Sequence, residues 1–169
     1  DEDLFYHFEN GVLAFRGTAS SKELIQDFQI YKQTFHDTRV HSGFLAVYMS
    51  IRDDLVDQKP RPHTIIGYSL GSAVALLYAL DLSICDDYKP SNVICVASPR
   101  VGDDAFRNLY ESHLGDRTIR IENPKDAVVH LPPFPSYSHV GTPLQVHFDE
   151  GWFLSHSLEK YACAIKSMH

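Results

Sequence analysis

Hydrophobic positions along the chain change period several times, and each change marks an element. Apolar side chains alternate across Leu4–Phe8 and again across Val12–Arg16, on either side of Asn10-Gly11. Asn-Gly between two such runs predicts a hairpin. From Ser20 to Tyr31 the period lengthens. Leu24, Ile25, Phe28 and Tyr31 fall at helical spacing, and Ser20 with Glu23 forms a capping box, so the stretch predicts an amphipathic helix. The polar run His36–Ser42 predicts a connector, and Phe44–Gln58 a second amphipathic helix stopped by Pro60 and Pro62. Thr64–Gly67 is a short β-branched run that predicts a buried strand. An Ala/Leu-rich helix, Leu70–Leu82, starts directly behind it, followed by an Asp86–Pro90 loop. Asn92–Ala97 reads as a buried strand ended by Ser98-Pro99, Asp103–His113 as a helix, and Thr118–Ile121 as a shorter strand. Asn123–Tyr137 holds four prolines and reads as a long loop. Pro143–Phe148 and Trp152–Leu154 predict a late hairpin, and Ser155 or Ser157 caps a last helix to Lys166. Strands alternating with helices predict an α/β fold, a mostly parallel sheet with helices on both faces. Sites in such sheets lie beyond the strand carboxyl ends. The loops after Arg16, Gly67, Ala97 and Ile121 are therefore expected to line one crevice.

Bulk properties narrow the function classes. The 169 residues suit one domain, taken as 1–169. A formal net charge of −7 argues against nucleic acid as a partner and against electrostatic docking on anionic membranes. No stretch approaches the roughly 18 apolar residues of a transmembrane helix, and no leader peptide is visible, so a soluble chain is expected. The chain starts at Asp1 rather than Met and reads as trimmed or excised, which leaves its compartment open. Three cysteines cannot pair fully. Cys95, in a strand pattern, and Cys163, in a helix pattern, read as core fillers, and Cys85 as a free loop thiol. No H-E-x-x-H or C-x-x-C spacing suggests a metal, and no glycine-rich phosphate loop suggests a nucleotide, so no cofactor is expected.

The chemistry is carried by Gly67-Tyr68-Ser69-Leu70-Gly71, a G-x-S-x-G turn between strand and helix. A serine at such a tip takes a strained conformation that pushes its hydroxyl outward. Glycines flank it because a Cβ would crowd the turn. The helix behind it aims N–H groups and its positive dipole end at the reacting atom. The pattern is the nucleophile elbow of the α/β-hydrolases. A serine hydroxyl needs a base, and the base an orienting acid, here in the order Ser, Asp, His. Of the later acids, Asp81 lies in the elbow helix, and Asp103 and Asp104 suit a helix N-terminus. Asp126 sits in the loop past the Thr118–Ile121 strand, on the expected active face, where it reads equally as a turn residue. Of the later histidines, His156 stands at a loop-to-helix junction with room to swing. His147 lies within a strand pattern, His130 is close to Asp126 in sequence, and a lone histidine is more often structural. A tetrahedral intermediate needs two oxyanion donors. The N–H of Leu70 supplies one, and Thr18, straight after the Val12–Arg16 strand, fits the other.

Several motifs in one order resemble the fungal-type (class three) lipases. They are Phe15-Arg16-Gly17-Thr18, Val40-His41-Ser42-Gly43-Phe44, the elbow, Ser98-Pro99-Arg100-Val101-Gly102-Asp103, and Asn123-Pro124-Lys125-Asp126 running into Leu131-Pro132-Pro133. Tyr137-Ser138-His139-Val140-Gly141 and His156 with Tyr161 complete the set. The resemblance implies an α/β-hydrolase fold and a triacylglycerol lipase or related lipid esterase. It implies Ser69, Asp126 and His156 as catalytic residues, with Thr18 and Leu70 as oxyanion hole. It also implies a lid helix over Ser20–Phe28 that makes transient contact with a lipid surface. There are departures. The family commonly has histidine at Tyr68 and glycine at Ser72, where the serine is expected to loosen helix–strand packing slightly. Leu24 replaces a frequent lid aromatic, and the chain begins closer to Arg16-Gly17-Thr18 than family members usually do, so an N-terminal helix and strand are expected to be missing. Two other readings compete with lipid ester hydrolysis. One is an esterase on small soluble esters such as feruloyl esters. The other is a catalytically silent binding module, which would be expected to lose one of Ser69, Asp126 and His156.

Overall fold

A computed structural model of the chain describes residues 5–17, 31–57, 59–151 and 154–168. Its centre is a six-stranded sheet in the order β1-β2-β5-β6-β7-β8. The strands are β1 (Tyr6–Glu9), β2 (Val12–Phe15), β5 (Thr64–Tyr68), β6 (Asn92–Val96), β7 (Thr118–Glu122) and β8 (Thr142–Gln145). The pairs from β2 to β8 are parallel, and β1 is an antiparallel edge strand. Asn10 and Gly11 both take positive φ in the turn that returns β1 onto β2, as the Asn-Gly signal requires.

Register explains how the sheet is covered. Leu13, Ile65 and Val93 align across β2, β5 and β6 and face the larger core. The helices α1 (Ser42–Asp57), α2 (Leu70–Cys85) and α3 (Asp104–Leu114) contribute to that core. α2 is mostly apolar and buried from Leu70 to Ser83, Ser72, Asp81 and Ser83 included, so it is the helix that α1 and α3 pack around. The opposite face carries Val96, Ile121 and Val146 against Tyr161 of α4 (Leu158–Lys166). Helices therefore lie on both faces, as the alternation of elements predicts.

Three expectations need correction. The polar connector His36–Ser42 contains a strand: β3 (Lys32–Phe35) and β4 (Thr38–His41) form a separate antiparallel hairpin. Only Phe35, Thr38, Val40 and His41 of these strands are buried, so the apolar signal is sparse. The late hairpin is absent among the described residues. β8 instead adds in parallel to β7, with Ile121 opposite Leu144. Trp152 and Phe153 of the expected second strand lie outside the described residues. Cys163 is exposed rather than a core filler, and Cys85 closes α2 rather than standing in a loop, while Cys95 is buried as expected. The Ser20–Tyr31 helix falls, but for Tyr31, outside the described residues; Tyr31 itself is exposed.

Candidate active site

β5 runs straight into α2 through Ser69, whose φ of 56° and ψ of −124° are costly for a residue with a side chain. The turn closes because both flanking glycines are met by backbone. A Cβ on Gly67 would stand 2.4 Å from the Gly71 carbonyl oxygen, and one on Gly71 would stand 2.4 Å from that of Phe15. The Ser69 N–H donates to the Val96 carbonyl at 2.9 Å, fixing the tip to β6. Ser72 does not loosen this junction. Its hydroxyl lies 2.7 Å from the Gly67 carbonyl oxygen and 3.0 Å from that of Val96, adding a tie between helix and strands.

His156 reaches the tip from the other side of the sheet's end. Its Nε2 lies 2.8 Å from Ser69 Oγ, and its Nδ1 lies 2.8 Å from Asp126 Oδ2. An ionised carboxylate only accepts. The His156 Nδ1–H therefore donates to Asp126, which leaves the Nε2 lone pair to accept the Ser69 hydroxyl proton. The histidine ring stacks on Tyr68 with centroids 5.0 Å apart and planes 18° from parallel. All three polar residues are buried. Ser157, the next residue, caps α4 by accepting from Lys160 N–H, so the loop that carries His156 is anchored at the helix start.

Asp126 is held by more than the histidine. Its Oδ1 accepts from Val128 N–H at 2.9 Å, across the 3-10 turn Ala127–His130. Its Oδ2 also accepts from Tyr161 hydroxyl at 2.9 Å, and that hydroxyl accepts from Asn123 N–H at 2.9 Å. Burial first, and then the negative Asp126, push the Tyr161 phenol well above its ordinary pKa, so it stays a donor. The same two causes raise Tyr68. The contact of Tyr161 with Asp126 was not legible beforehand. The available signal was one aromatic on the inner face of a short helix, five residues past His156.

The sequence-derived set thus converges in part. Ser69, Asp126 and His156 meet, and Leu70 opens α2 with its N–H at the helix's positive end. Thr18 lies outside the described residues, though Gly17 before it sits against Tyr68 and Ser69. The competing side chains are engaged elsewhere. His130 bonds the Pro124 carbonyl, His139 the Val129 carbonyl, and Asp81 a cluster on α1 and α2. Asp103 caps α3 by accepting from Phe106 N–H. A cleft of about 520 Å³ opens beside the elbow over β1, β2 and β5, walled by Tyr6, Phe15, Ile66, Tyr68 and Leu158.

The arrangement has counterparts. A profile of the family described as Lipase (class 3) matches residues 12–136. A phospholipase A1-II 6 of Oryza sativa subsp. japonica is 29% identical over 201 residues, covering 89% of this chain and 49% of that protein. A lipase of Rhizomucor miehei is 35% identical over 162 residues, covering 87% of this chain and 42% of that one. The structure of the Rhizomucor miehei lipase propeptide complex superposes with a TM-score of 0.72 at 33% identity, over 80% of this chain and 49% of that one. The chain spans about half the length of these relatives.

Proposed function

The chain belongs to the class 3 lipase family, and on that footing we propose that it hydrolyses carboxylic esters of lipids through an acyl-enzyme on Ser69. The observation that carries this reading is the relay Ser69–His156–Asp126 at a strained elbow. In the reaction, Ser69 Oγ attacks the ester carbonyl carbon while His156 Nε2 takes its proton. Asp126 keeps the imidazole oriented and stabilises the imidazolium. The oxygen's developing charge falls to the Leu70 N–H, reinforced by the α2 dipole, and to Thr18 as the second donor. Collapse breaks the carbon–oxygen bond, and His156 returns the proton to the departing alkoxide. Water, deprotonated by the same nitrogen, then releases the carboxylic acid and restores Ser69.

Lipid as the substrate class is supported by apolar surface near the base. Leu154 is 71% exposed and Leu158 is 52% exposed, two residues to either side of His156. Among the described residues no helix is long and apolar enough to cross a membrane. Contact with a lipid surface, made in part by Ser20–Phe28, is the finer part of the proposal and rests on that stretch's amphipathic pattern. A series of p-nitrophenyl esters from short to long acyl chains, run across each ester's solubility limit, tests both parts. Ser69→Ala should lose several orders of magnitude in rate and all labelling by a serine-directed phosphonate. Leu24→Ser with Ile25→Ser should blunt a rise in rate above the solubility limit and spare short soluble esters. Wild-type turnover by Ser69→Ala would sink the hydrolase reading. Smooth saturation through the limit, in both proteins, would remove the surface contact.

A further inference from the structure

A second cluster of reactive side chains lies at the far end of α2. Asp81 is buried, yet it collects four partners. Its Oδ2 accepts from Tyr48 hydroxyl at 2.5 Å and from Arg52 Nε at 2.7 Å. Its Oδ1 lies 2.7 Å from His36 Nε2 and accepts from Cys85 Sγ at 3.3 Å. Asp81 and Cys85 are four residues apart on one helix face. His36 comes from the β3–β4 turn, where it and Asp37 both take positive φ, at 46° and 60°. One imidazole nitrogen, one carboxylate oxygen and one thiol sulfur all stand within 4.8 Å of one another. Twelve residues of helix at about 1.5 Å each put this cluster about 18 Å from Ser69.

We propose that His36, Asp81 and Cys85 form a binding site for one zinc-class divalent cation, which clips the β3–β4 hairpin to the elbow helix. A mixed nitrogen, sulfur and oxygen set suits zinc and disfavours calcium and magnesium, which take oxygen ligands. Three protein ligands leave a fourth position for water. The outer partners are in place: Tyr48 and Arg52 hold the far oxygen of Asp81 and so aim the near one. On binding, the cation replaces the two hydrogens now pointed at Oδ1. Cys85 releases its proton to solvent, and neutral His36 changes tautomer, giving up its Nε2 proton and taking one from solvent on Nδ1, so that Nε2 can ligate. The Arg52 charge opposes the cation. Two anionic ligands offset it, and Asp37 and Asp87 add negative charge around an opening of about 440 Å³ beside His36.

The test is titration of the metal-stripped full chain with zinc(II) by calorimetry, and with cobalt(II) by absorbance. One zinc per chain should bind, with a rise in Tm, because the ion binds the folded chain. Cobalt should give a thiolate charge-transfer band with the intense visible bands of four-coordination. His36→Ala and Cys85→Ser, both changes at solvent-accessible side chains, should each weaken zinc binding at least as much as the tenfold to hundredfold typical of losing an outer partner. Cys163→Ser, at the other exposed thiol, should leave binding unchanged. No zinc uptake by the wild-type chain overturns the site. So does a cobalt band that survives Cys85→Ser, or zinc binding unaffected by His36→Ala. Ester hydrolysis is not the readout, so failure here leaves the Ser69 reading standing, and failure of that reading leaves this one.

Discussion

At the scale of single residues, the candidate site depends on atoms outside the relay. Tyr161 bridges Asp126 and the Asn123 backbone, so it sets where the carboxylate sits when His156 becomes charged. Tyr161→Phe removes one oxygen and no packing volume. It leaves the Asn123 N–H buried without its acceptor, a loss of about 1–3 kcal/mol of stability. It also frees Asp126 Oδ2 to drift from His156 Nδ1. The expected result is a fall in kcat of about tenfold, or about 1.4 kcal/mol of barrier, with KM nearly unchanged, because ester binding does not use the phenol. Steady-state kinetics on one soluble ester decide it. A raised KM with intact kcat would show that Tyr161 shapes the cleft instead. None of this was readable from spacing. Ser69, Asp126 and His156 carry signals of type and position, whereas a tyrosine on a helix reads the same whether it fills space or holds a carboxylate.

At the scale of elements, the junction of β5 and α2 has no room for added side-chain atoms. Gly67→Ala places a Cβ against the Gly71 carbonyl and Ser72 Cα, both backbone atoms that cannot rotate aside. The strand, the tip and the helix must then separate. The expected cost is about 3 kcal/mol, the upper end for overpacking, together with loss of most phosphonate labelling of Ser69 in protein that remains folded. Asp103→Ala makes a useful contrast. It removes the α3 cap at a cost of about 1 kcal/mol and should leave labelling alone. Urea unfolding and labelling measured on both proteins separate the two effects, and equal labelling of Gly67→Ala and the parent would show that the elbow does not need its glycine. The elements themselves were legible where pattern and burial agree, as in β5, α2, β6 and α3. The β3–β4 hairpin was not, because its buried positions Phe35, Thr38, Val40 and His41 do not alternate cleanly with exposed ones and its turn is made by the two positive-φ residues His36 and Asp37. β8 was misjudged for a related reason. All four of its residues are exposed, so its partner is chosen by the backbone of β7 and not by an apolar face of its own.

At the scale of the whole molecule, two loops converge beneath the Asp126 turn and enclose His139 with Arg100 and Arg120. Nothing in the local sequence around Tyr137-Ser138-His139 announces this, since the arginines come from β7 and the loop after β6. Burial, then the nearby charges of Arg120, Arg100 and His130, hold the His139 imidazole down at about 3, while its bond to the Val129 carbonyl pulls the other way. The unfolded chain, with an ordinary histidine pKa of about 6.5, binds a proton there that the folded chain refuses. Stability from this group is therefore complete above about pH 6.5 and is lost as pH falls from there towards about 3. Between those limits the slope approaches about 1.4 kcal/mol per pH unit, and at pH 5.5 the accumulated loss approaches about 1.4 kcal/mol. His139→Gln keeps a donor able to reach the Val129 carbonyl and cannot take up a proton. Its unfolding free energy, followed by urea titration from pH 7.5 down to pH 4.5, should fall less steeply than that of the parent below pH 6.5. At pH 7.5 the variant should pay only for altered packing, so the two curves approach each other on the acid side even where the variant begins weaker. Curves that stay parallel across the range would mean that His139 is protonated alike in both states, and that the two arginines do not govern this part of the molecule.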